Sequence, residues 1–211
     1  MTTKIEWASP EIDKKTAYMA RVSNPANQDN ENIAGLLNYC MREGHVSPFE
    51  MASVCMEVNT TRDIARQILR HRSFSFQEFS QRYQDTSVLG EMVEREVRLQ
   101  DTKNRQNSIA TDSPAHMKEW SQDQHEVWSL ASMNYANALK RGVAKEVARA
   151  LLPEGLTPSR LYMNGTMRSW IHYLKQRLHH STQKEHRVLA ESILAQLTLV
   201  APITMRAFFG E

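Results

Sequence analysis

Glycine is sparse and widely spaced in this chain, and that spacing excludes two large groups of nucleotide-binding folds. No two of the seven glycines are closer than nine positions, and they stand at 35, 44, 90, 142, 155, 165 and 210. The dinucleotide-binding turn G-x-G-x-x-G and the phosphate loop G-x-x-x-x-G-K-[ST] are therefore absent. If the chain binds a nucleotide, side chains of Arg, Ser and Gln must hold the phosphates.

The composition predicts a globular protein of nearly balanced charge. The 211 residues are 41% hydrophobic and 24% charged, and the mean hydropathy is −0.56. These values argue against a membrane span. The formal net charge of +2 is low for a protein whose whole surface binds nucleic acid. With only Cys40 and Cys55 and no apolar segment near the start, we expect no disulfide framework, no signal peptide and a cytoplasmic location.

The hydrophobic pattern predicts a helix-rich chain with a few strands. Apolar and polar residues alternate over 52–59, and Gly44 and Pro153 are placed to end helices. Predicted strands cover 3–8, 52–59, 75–83 and 158–165; predicted helices cover 11–22, 30–43, 61–70, 116–141, 144–152, 167–180 and 184–209, the last kinked at Pro202. The polar stretch 84–114 is predicted to be a surface excursion. We therefore expect a single α+β domain over 1–211, around a small antiparallel or mixed sheet.

The stretch QILRHRSFSFQEFSQRY, residues 67–83, is the most unusual part of the sequence. On a helix, Gln67, Arg70 and His71 share one face. On a strand, Glu78, Ser80 and Arg82 project from one side. Such a set suits an anionic ligand, because two arginines can grip a phosphate and Ser80 can donate to it. The alternative is a solvated basic helix followed by an edge strand with a surface ion pair.

This stretch resembles the signature R-H-R-x7-S of the flavin-dependent thymidylate synthases. Arg70, His71, Arg72 and Ser80 supply the signature, and a longer family form also matches Ser75, Glu78, Arg82 and Tyr83. Gln77 stands where the family usually has Asn. Two further segments, Gly44–Glu50 and Lys145–Arg149 with Leu152 and Pro153, are similar to family motifs, as is Met167–Trp170 through Arg177. The resemblance spans about residues 33–190.

The resemblance implies a reaction, its reagents and an assembly. The reaction is reductive methylation of dUMP to dTMP, with methylenetetrahydrofolate as the carbon donor and FAD, reduced by NADPH, as the source of hydride. The family is homotetrameric, with active sites at subunit interfaces. No cysteine stands in a recognisable nucleophile context, which agrees with a route that does not attack the pyrimidine through a thiolate.

The resemblance also assigns roles to individual residues. Arg177 is the expected catalytic residue, because a guanidinium at the uracil N3–C4 edge stabilises negative charge on the ring, and His45 is expected to line the active site near the flavin. Expected cofactor contacts are Ser47, Arg70, His71, Arg72, Glu78, Thr166, Met167, Arg168 and His172. Expected dUMP contacts are Gln67, Arg70, Glu78, Phe79, Ser80, Arg82, Arg149 and Arg177, with Ser80 and Arg82 at the phosphate.

Three other interpretations follow from particular residues. Met51, Gln77, Thr166 and His172 depart from the commoner family residues, so flavin- and folate-dependent hydroxymethylation of dUMP or dCMP stays open. Arginines and phenylalanines interleaved over 62–82 could form a nucleic-acid-binding face, against which the near-neutral charge counts. His179, His180 and His186 suggest a metal, but no H-E-x-x-H motif or cysteine accompanies them, so we expect none.

Overall fold

The computed structural model describes residues 1–210, and its elements follow the predicted order. The helices are α1 (Ile12–Ala20), α2 (Ile33–Arg42), α3 (Arg62–Ile68), α4 (Pro114–Lys140), α5 (Lys145–Ala148), α6 (Met167–Arg177), α7 (Lys184–Val200) and α8 (Pro202–Phe209). The strands are β1 (Thr2–Ala8), β2 (Ser53–Thr61), β3 (Ser75–Glu78), β4 (Arg98–Gln100), β5 (Ser108–Ala110) and β6 (Pro158–Thr166). Four strands form a sheet in the order β1-β2-β6-β3. The predicted helix-rich α+β fold with a small sheet is confirmed.

The chain divides into two compact units that interleave along the sequence. The first contains Met1–Val58, His71–Gln77 and the chain from Tyr162 onwards; the second contains Asn59–Arg70 and Glu78–Leu161. A single domain over 1–211 remains a prediction.

In the first unit, the core forms where the alternating pattern places apolar residues on one face of β2. Val54, Met56 and Val58 are fully buried, as the alternation predicts. Trp170 of α6 covers this strand, and its indole nitrogen donates a hydrogen bond of 3.1 Å to the Val54 carbonyl. A buried tryptophan with a satisfied N–H stabilises the core without an orphaned polar group.

Phe74 joins this core through a cluster of aromatic rings. Its ring packs edge-on against Trp170, with the centroids 4.8 Å apart, and Gly165 of β6 leaves the space that the ring occupies. A Cβ at Gly165 would lie 2.4 Å from Cδ1 of Phe74. The close approach of Phe74 to β6 therefore requires glycine at this position.

In the second unit, α4 and α5 enclose a smaller cluster of Tyr135, Ala138, Ala148 and Leu152. Arg95 anchors the polar stretch that leads into this unit. Its side chain donates hydrogen bonds to Asp63 (2.7 Å), Thr61 (2.5 Å) and the Gly155 carbonyl (3.1 Å). The predicted excursion thus contains a half-buried anchor as well as the antiparallel hairpin β4–β5, in which Leu99 faces Ile109.

Two predicted elements around the signature are wrong in extent. Helix α3 ends at Ile68, so Arg70 and His71 lie beyond it and share no helix face with Gln67. Strand β3 ends at Glu78, so Ser80 and Arg82 lie in a turn, where the amides of Tyr83 and Gln84 donate to the Ser80 carbonyl. Tertiary packing overrides local propensity here, because Phe74 has to reach the aromatic cluster.

The predicted C-terminal helix 184–209 is broken rather than kinked. Helices α7 and α8 are separated at Ala201, whose backbone is non-helical. The carboxylate of Asp13 caps the new N-terminus by accepting from the amides of Ile203 (2.8 Å) and Thr204 (3.0 Å). The break is stable for two reasons. The free amides at a helix start need acceptors such as Asp13, and Pro202 at the first position has no amide N–H to satisfy.

None of the helices within residues 1–210 combines the length and the apolar character that crossing a membrane requires.

We predict that Gly165→Ala destabilises the protein by about 1–3 kcal/mol, because the added methyl forces the buried Phe74 ring to move. Urea unfolding measures the change. Gly155→Ala is the matched control, since nothing lies within 4 Å of a Cβ placed there. Equal unfolding midpoints for the two variants would contradict the packing argument.

Candidate active site

The signature arginines are exposed, whereas the histidine between them is buried. Within residues 1–210, the side chains of Arg70 and Arg72 form no hydrogen bond or ion pair, and both are exposed. His71 is only 7% exposed. Unpaired guanidinium groups are suited to an anionic ligand, because no carboxylate competes for their donors.

One face of α6 holds the segment that follows Arg70. Ser169, Tyr173 and Arg177 lie one turn apart on this face. The Ser169 hydroxyl donates to the Ser73 carbonyl at 3.1 Å, and the Arg177 Nε–H donates to Nε2 of His71 at 2.9 Å. Between them, the Tyr173 ring packs edge-on against the His71 ring with the centroids 4.9 Å apart.

A buried Tyr–His pair lies behind His71. The Tyr173 hydroxyl and Nε2 of His186 are 2.9 Å apart, and both residues are fully buried. Burial lowers the pKa of His186 from 6.5 to about 3, and the positive charge of the nearby Arg177 acts in the same direction. Burial also raises the pKa of the Tyr173 hydroxyl. Both groups are therefore neutral at pH 7, and Tyr173 donates to His186.

Glu50 organises the start of α6. Thr166 caps the helix, and its hydroxyl donates to Glu50 at 2.8 Å. Arg168 donates to the other oxygen of Glu50 at 2.8 Å. The Met167 side chain is fully buried, whereas His172 is exposed and bonds Gln176 at 2.9 Å. Thr166 and Arg168 are therefore the expected cofactor residues that the structure brings together here.

His45 and Ser47 follow α2, at a turn where a short 3₁₀ helix spans Ser47–Met51. Both side chains are exposed, and the His45 ring packs edge-on against Tyr39 at 5.6 Å. Phe49, two residues beyond Ser47, is fully buried and fixes the turn. The turn thus presents an imidazole and a hydroxyl to solvent on a firmly packed base.

In the second unit, Glu78 connects two elements. Its Oε1 accepts from Arg62 of α3 (3.3 Å) and from the Ser159 hydroxyl of β6 (2.8 Å). The amide of Phe79 continues the pairing with a 2.8 Å bond to the Arg160 carbonyl. Because these bonds occupy one carboxylate oxygen, the Glu78 side chain is fixed where β3 ends.

A cavity of about 460 Å³ lies beside the turn that contains Ser80. Its charged and amide-bearing lining residues are Arg62, Arg66, Gln81, Glu146, Arg149 and Glu154. Arg66 pairs with Glu154, while Arg149 donates to the backbone carbonyl of Glu146 and has no carboxylate partner within residues 1–210. Gln81 is 4% exposed, and its amide nitrogen has no hydrogen-bond partner within residues 1–210. A buried unsatisfied donor costs about 1–3 kcal/mol, so an acceptor oxygen bound in this cavity would relieve it.

Arg82 and Gln67 have different surroundings. Arg82 is exposed and lies 3.4 Å from Glu146, so its pairing is weak and exchangeable. Gln67 lies near the end of α3 and is half-buried.

Neither cysteine has the environment of a nucleophile. Burial raises the pKa of both the Cys40 and the Cys55 thiol. An activated cysteine needs the opposite shift, since the thiolate is the reactive form. Within residues 1–210, no three His, Cys, Asp or Glu side chains are placed to hold a metal ion.

The structure thus groups the expected residues by unit. In the first unit, His71 contacts Arg177, and Thr166 and Arg168 share Glu50; in the second, Glu78 pairs with Arg62, and Arg149 lines the cavity. Sequence reasoning missed Gln81, although it lies between two signature residues. It also missed Glu50 and the Tyr173–His186 pair, for which the sequence carries no local signal.

Comparisons with known proteins agree with the signature. The family profile described as thymidylate synthase complementing protein matches residues 5–203. The flavin-dependent thymidylate synthase of Synechocystis is 53% identical over 174 residues, covering 82% of this chain and 79% of that protein. A probable flavin-dependent thymidylate synthase of Paramecium bursaria Chlorella virus 1 is 48% identical, covering 83% and 81%.

A solved structure gives the same result for the fold. The UMP/dUMP methylase PolB from Streptomyces cacaoi, bound with 5-Br UMP, superposes with a TM-score of 0.84 at 27% identity, covering 98% of this chain and 93% of that one. The chain belongs to the family of flavin-dependent thymidylate synthases. The prediction of an enzyme, a methyltransferase of this family, is confirmed.

We predict that acid destabilises the protein partly through His186. Its pKa is about 3 in the folded chain against an ordinary 6.5, so between these values the unfolded chain binds the additional proton. This contribution is complete above pH 6.5 and is lost as the pH falls towards 3, with a slope approaching about 1.4 kcal/mol per pH unit. In His186→Gln, which keeps an acceptor for Tyr173, urea unfolding measured across this range should show a shallower slope. An unchanged slope would contradict the assignment.

Proposed function

We propose that the protein methylates dUMP reductively to dTMP, with methylenetetrahydrofolate as the carbon donor. The orphaned amide of Gln81 carries this proposal, because it lies in an arginine-lined cavity beside Ser80 and needs an acceptor oxygen. A nucleotide phosphate supplies such oxygens. Its negative charge can also pair with Arg149, which has no carboxylate partner within residues 1–210. The names of the relatives and of the methylase neighbour support the same substrate class.

The residues around the turn that contains Ser80 bind the phosphate. Ser80 and Arg82 hold the phosphate, and Arg149 and Gln81 add donors. Glu78, fixed by Arg62 and Ser159, is positioned to accept from the ribose or the base. The remaining expected contacts, Gln67, Arg70 and Phe79, complete the nucleotide site.

Arg177 is the catalytic residue of this proposal. Its guanidinium stabilises the negative charge that develops on the uracil ring as C5 becomes nucleophilic. It does not serve as a base, because arginine remains protonated at any working pH. Burial raises the pKa of both cysteine thiols, which disfavours the reactive thiolate form, and the protein contributes charge and position.

The donor chemistry of the chain fits a flavin dinucleotide. Arg70 and Arg72 each present an unpaired guanidinium suited to a phosphate, and Thr166 and Arg168 are held by Glu50 at a helix start. Further expected contacts are His45, Ser47, His71, Glu78, Met167 and His172. When bound and reduced by NADPH, FAD would supply the hydride that completes the methyl group. We further propose a cytoplasmic homotetramer with active sites at subunit interfaces, testable by light scattering.

Product analysis tests the reaction. The purified protein is incubated with methylenetetrahydrofolate, FAD, NADPH and either dUMP, UMP or dCMP, and the nucleotide is analysed by mass. Methylation of dUMP that requires NADPH supports the proposal. A hydroxymethyl product that forms without NADPH would replace it with the hydroxymethylation of dUMP or dCMP.

We predict that Arg177→Ala retains flavin but lowers dTMP turnover by a factor on the order of 10²–10³, the usual cost of removing one charge-stabilising donor. Visible absorbance measures flavin and tritium release from C5-labelled dUMP measures turnover. Arg105→Ala, at an exposed arginine of the β4–β5 hairpin, is the control. Turnover near that of the wild type would refute the role of Arg177.

We predict that Gln81→Leu weakens dUMP binding about tenfold, since one donor to the nucleotide is lost and a buried site is left apolar. Calorimetric titration with dUMP measures affinity, and flavin content should not change. Gln106→Leu, at an exposed hairpin glutamine, is the control. Equal dUMP affinity in the two variants would show that the Gln81 amide does not face the nucleotide.

A further inference from the structure

A hydrogen bond from a buried neutral side chain helps to orient Arg177. The hydrogen bond runs from Nε–H of Arg177 to Nε2 of His71, at 2.9 Å. Arginine Nε has a proton and no acceptor capacity, so Nε2 of His71 must have its lone pair free. The imidazole is therefore neutral, with its proton on Nδ1. A bond through Nε restricts the rotation of the guanidinium plane.

The His71 ring is itself held from behind. It is 7% exposed, and the edge-on Tyr173 ring lies 4.9 Å away. Tyr173 cannot turn away without breaking its hydroxyl bond to the fully buried His186. The backbone is fixed as well, because the Ser169 hydroxyl bonds the Ser73 carbonyl two residues later. The ring is thus fixed by its neighbours on α6 and α7.

We propose that His71 is a positioning residue for Arg177: it accepts the bond that fixes the guanidinium plane, and the buried Tyr173–His186 pair keeps the imidazole in place to accept it. This inference rests on the proposed catalytic role of Arg177. It gives His71 a task besides the cofactor contact that the family resemblance implies. It also gives a purpose to two buried polar residues that the proposed reaction does not otherwise use.

The geometry suggests three variants. His71→Leu removes the acceptor, His71→Gln replaces it with an amide oxygen at a similar reach, and Tyr173→Phe keeps the ring but frees it from His186. We expect His71→Leu to lower kcat by on the order of 10², the cost of misplacing a catalytic group by about 1 Å. His71→Gln should recover at least about tenfold of that loss, and Tyr173→Phe should lose less than His71→Leu. KM for dUMP should change little in all three.

A double-mutant cycle separates positioning from a general structural role. If His71 acts through Arg177, His71→Leu costs little more than about threefold in an Arg177→Ala background, although it costs on the order of 10² alone. Independent, multiplying losses would overturn the proposal. Equal kcat values for His71→Leu and His71→Gln, or loss of flavin from both, would also overturn it, since His71 would then serve packing or cofactor binding alone. His116→Leu, at an exposed histidine of α4, is the matched control.

Crystal structures provide a readout that does not depend on activity. In wild-type crystals the Arg177 guanidinium should be ordered on His71, and in His71→Leu crystals it should be displaced or have several conformers. An unchanged Arg177 in the variant would overturn the proposal even if activity fell. A wild-type protein that forms no dTMP would refute the proposed function instead, while the position of Arg177 would still test the role of His71.

Discussion

The first unit depends on the way one face of α6 binds the chain at His71–Phe74. Ser169, Tyr173 and Arg177 repeat at one-turn intervals, and each contacts that segment. An unpaired polar group in a buried contact lowers the stability of the fold, because it loses its hydration without compensation. Here the donors find acceptors, so the face is both buried and specific. It also explains why helix α3 ends early: His71 is needed against α6 rather than on α3.

Several arginines of this chain are paired with glutamates, and basic residues exceed acidic ones by only two. Arg62, Arg66, Arg82 and Arg168 each lie beside a glutamate, which offsets their positive charge locally. Among the residues that the structure describes, Arg70, Arg72 and Arg149 have no carboxylate partner. An anion is therefore attracted to these three arginines in particular. The net charge of +2 is too low for the basic field that a nucleic-acid-binding face requires. The balance of charges is consistent with a small anionic ligand.

Much of the fold was predictable from the sequence, because periodicity records burial. The alternation over 52–59 matches β2, and the long polar gap matches the hairpin region. The elements around 67–83 were predicted with the wrong extent, since the residues have ordinary local propensities and long-range packing of Phe74 decides where they end. Within the site, the signature residues were found by their spacing. Gln81 and the Tyr173–His186 pair were not, because burial and partners at a distance in sequence define them.

The absence of an activated thiol and the fixed position of Arg177 are related, because a reaction without a thiolate depends more on a positioned charge. A thiolate needs a polar or cationic surrounding that lowers its pKa, and burial raises the pKa of both cysteines instead. In the proposed mechanism, chemistry on the pyrimidine relies on a charge held in a set direction, and a long side chain holds direction only if a neighbour fixes it. His71 provides that acceptor, and Tyr173 with His186 holds His71. In the proposed reaction, which uses no protein nucleophile, the buried polar pair serves to keep that direction fixed.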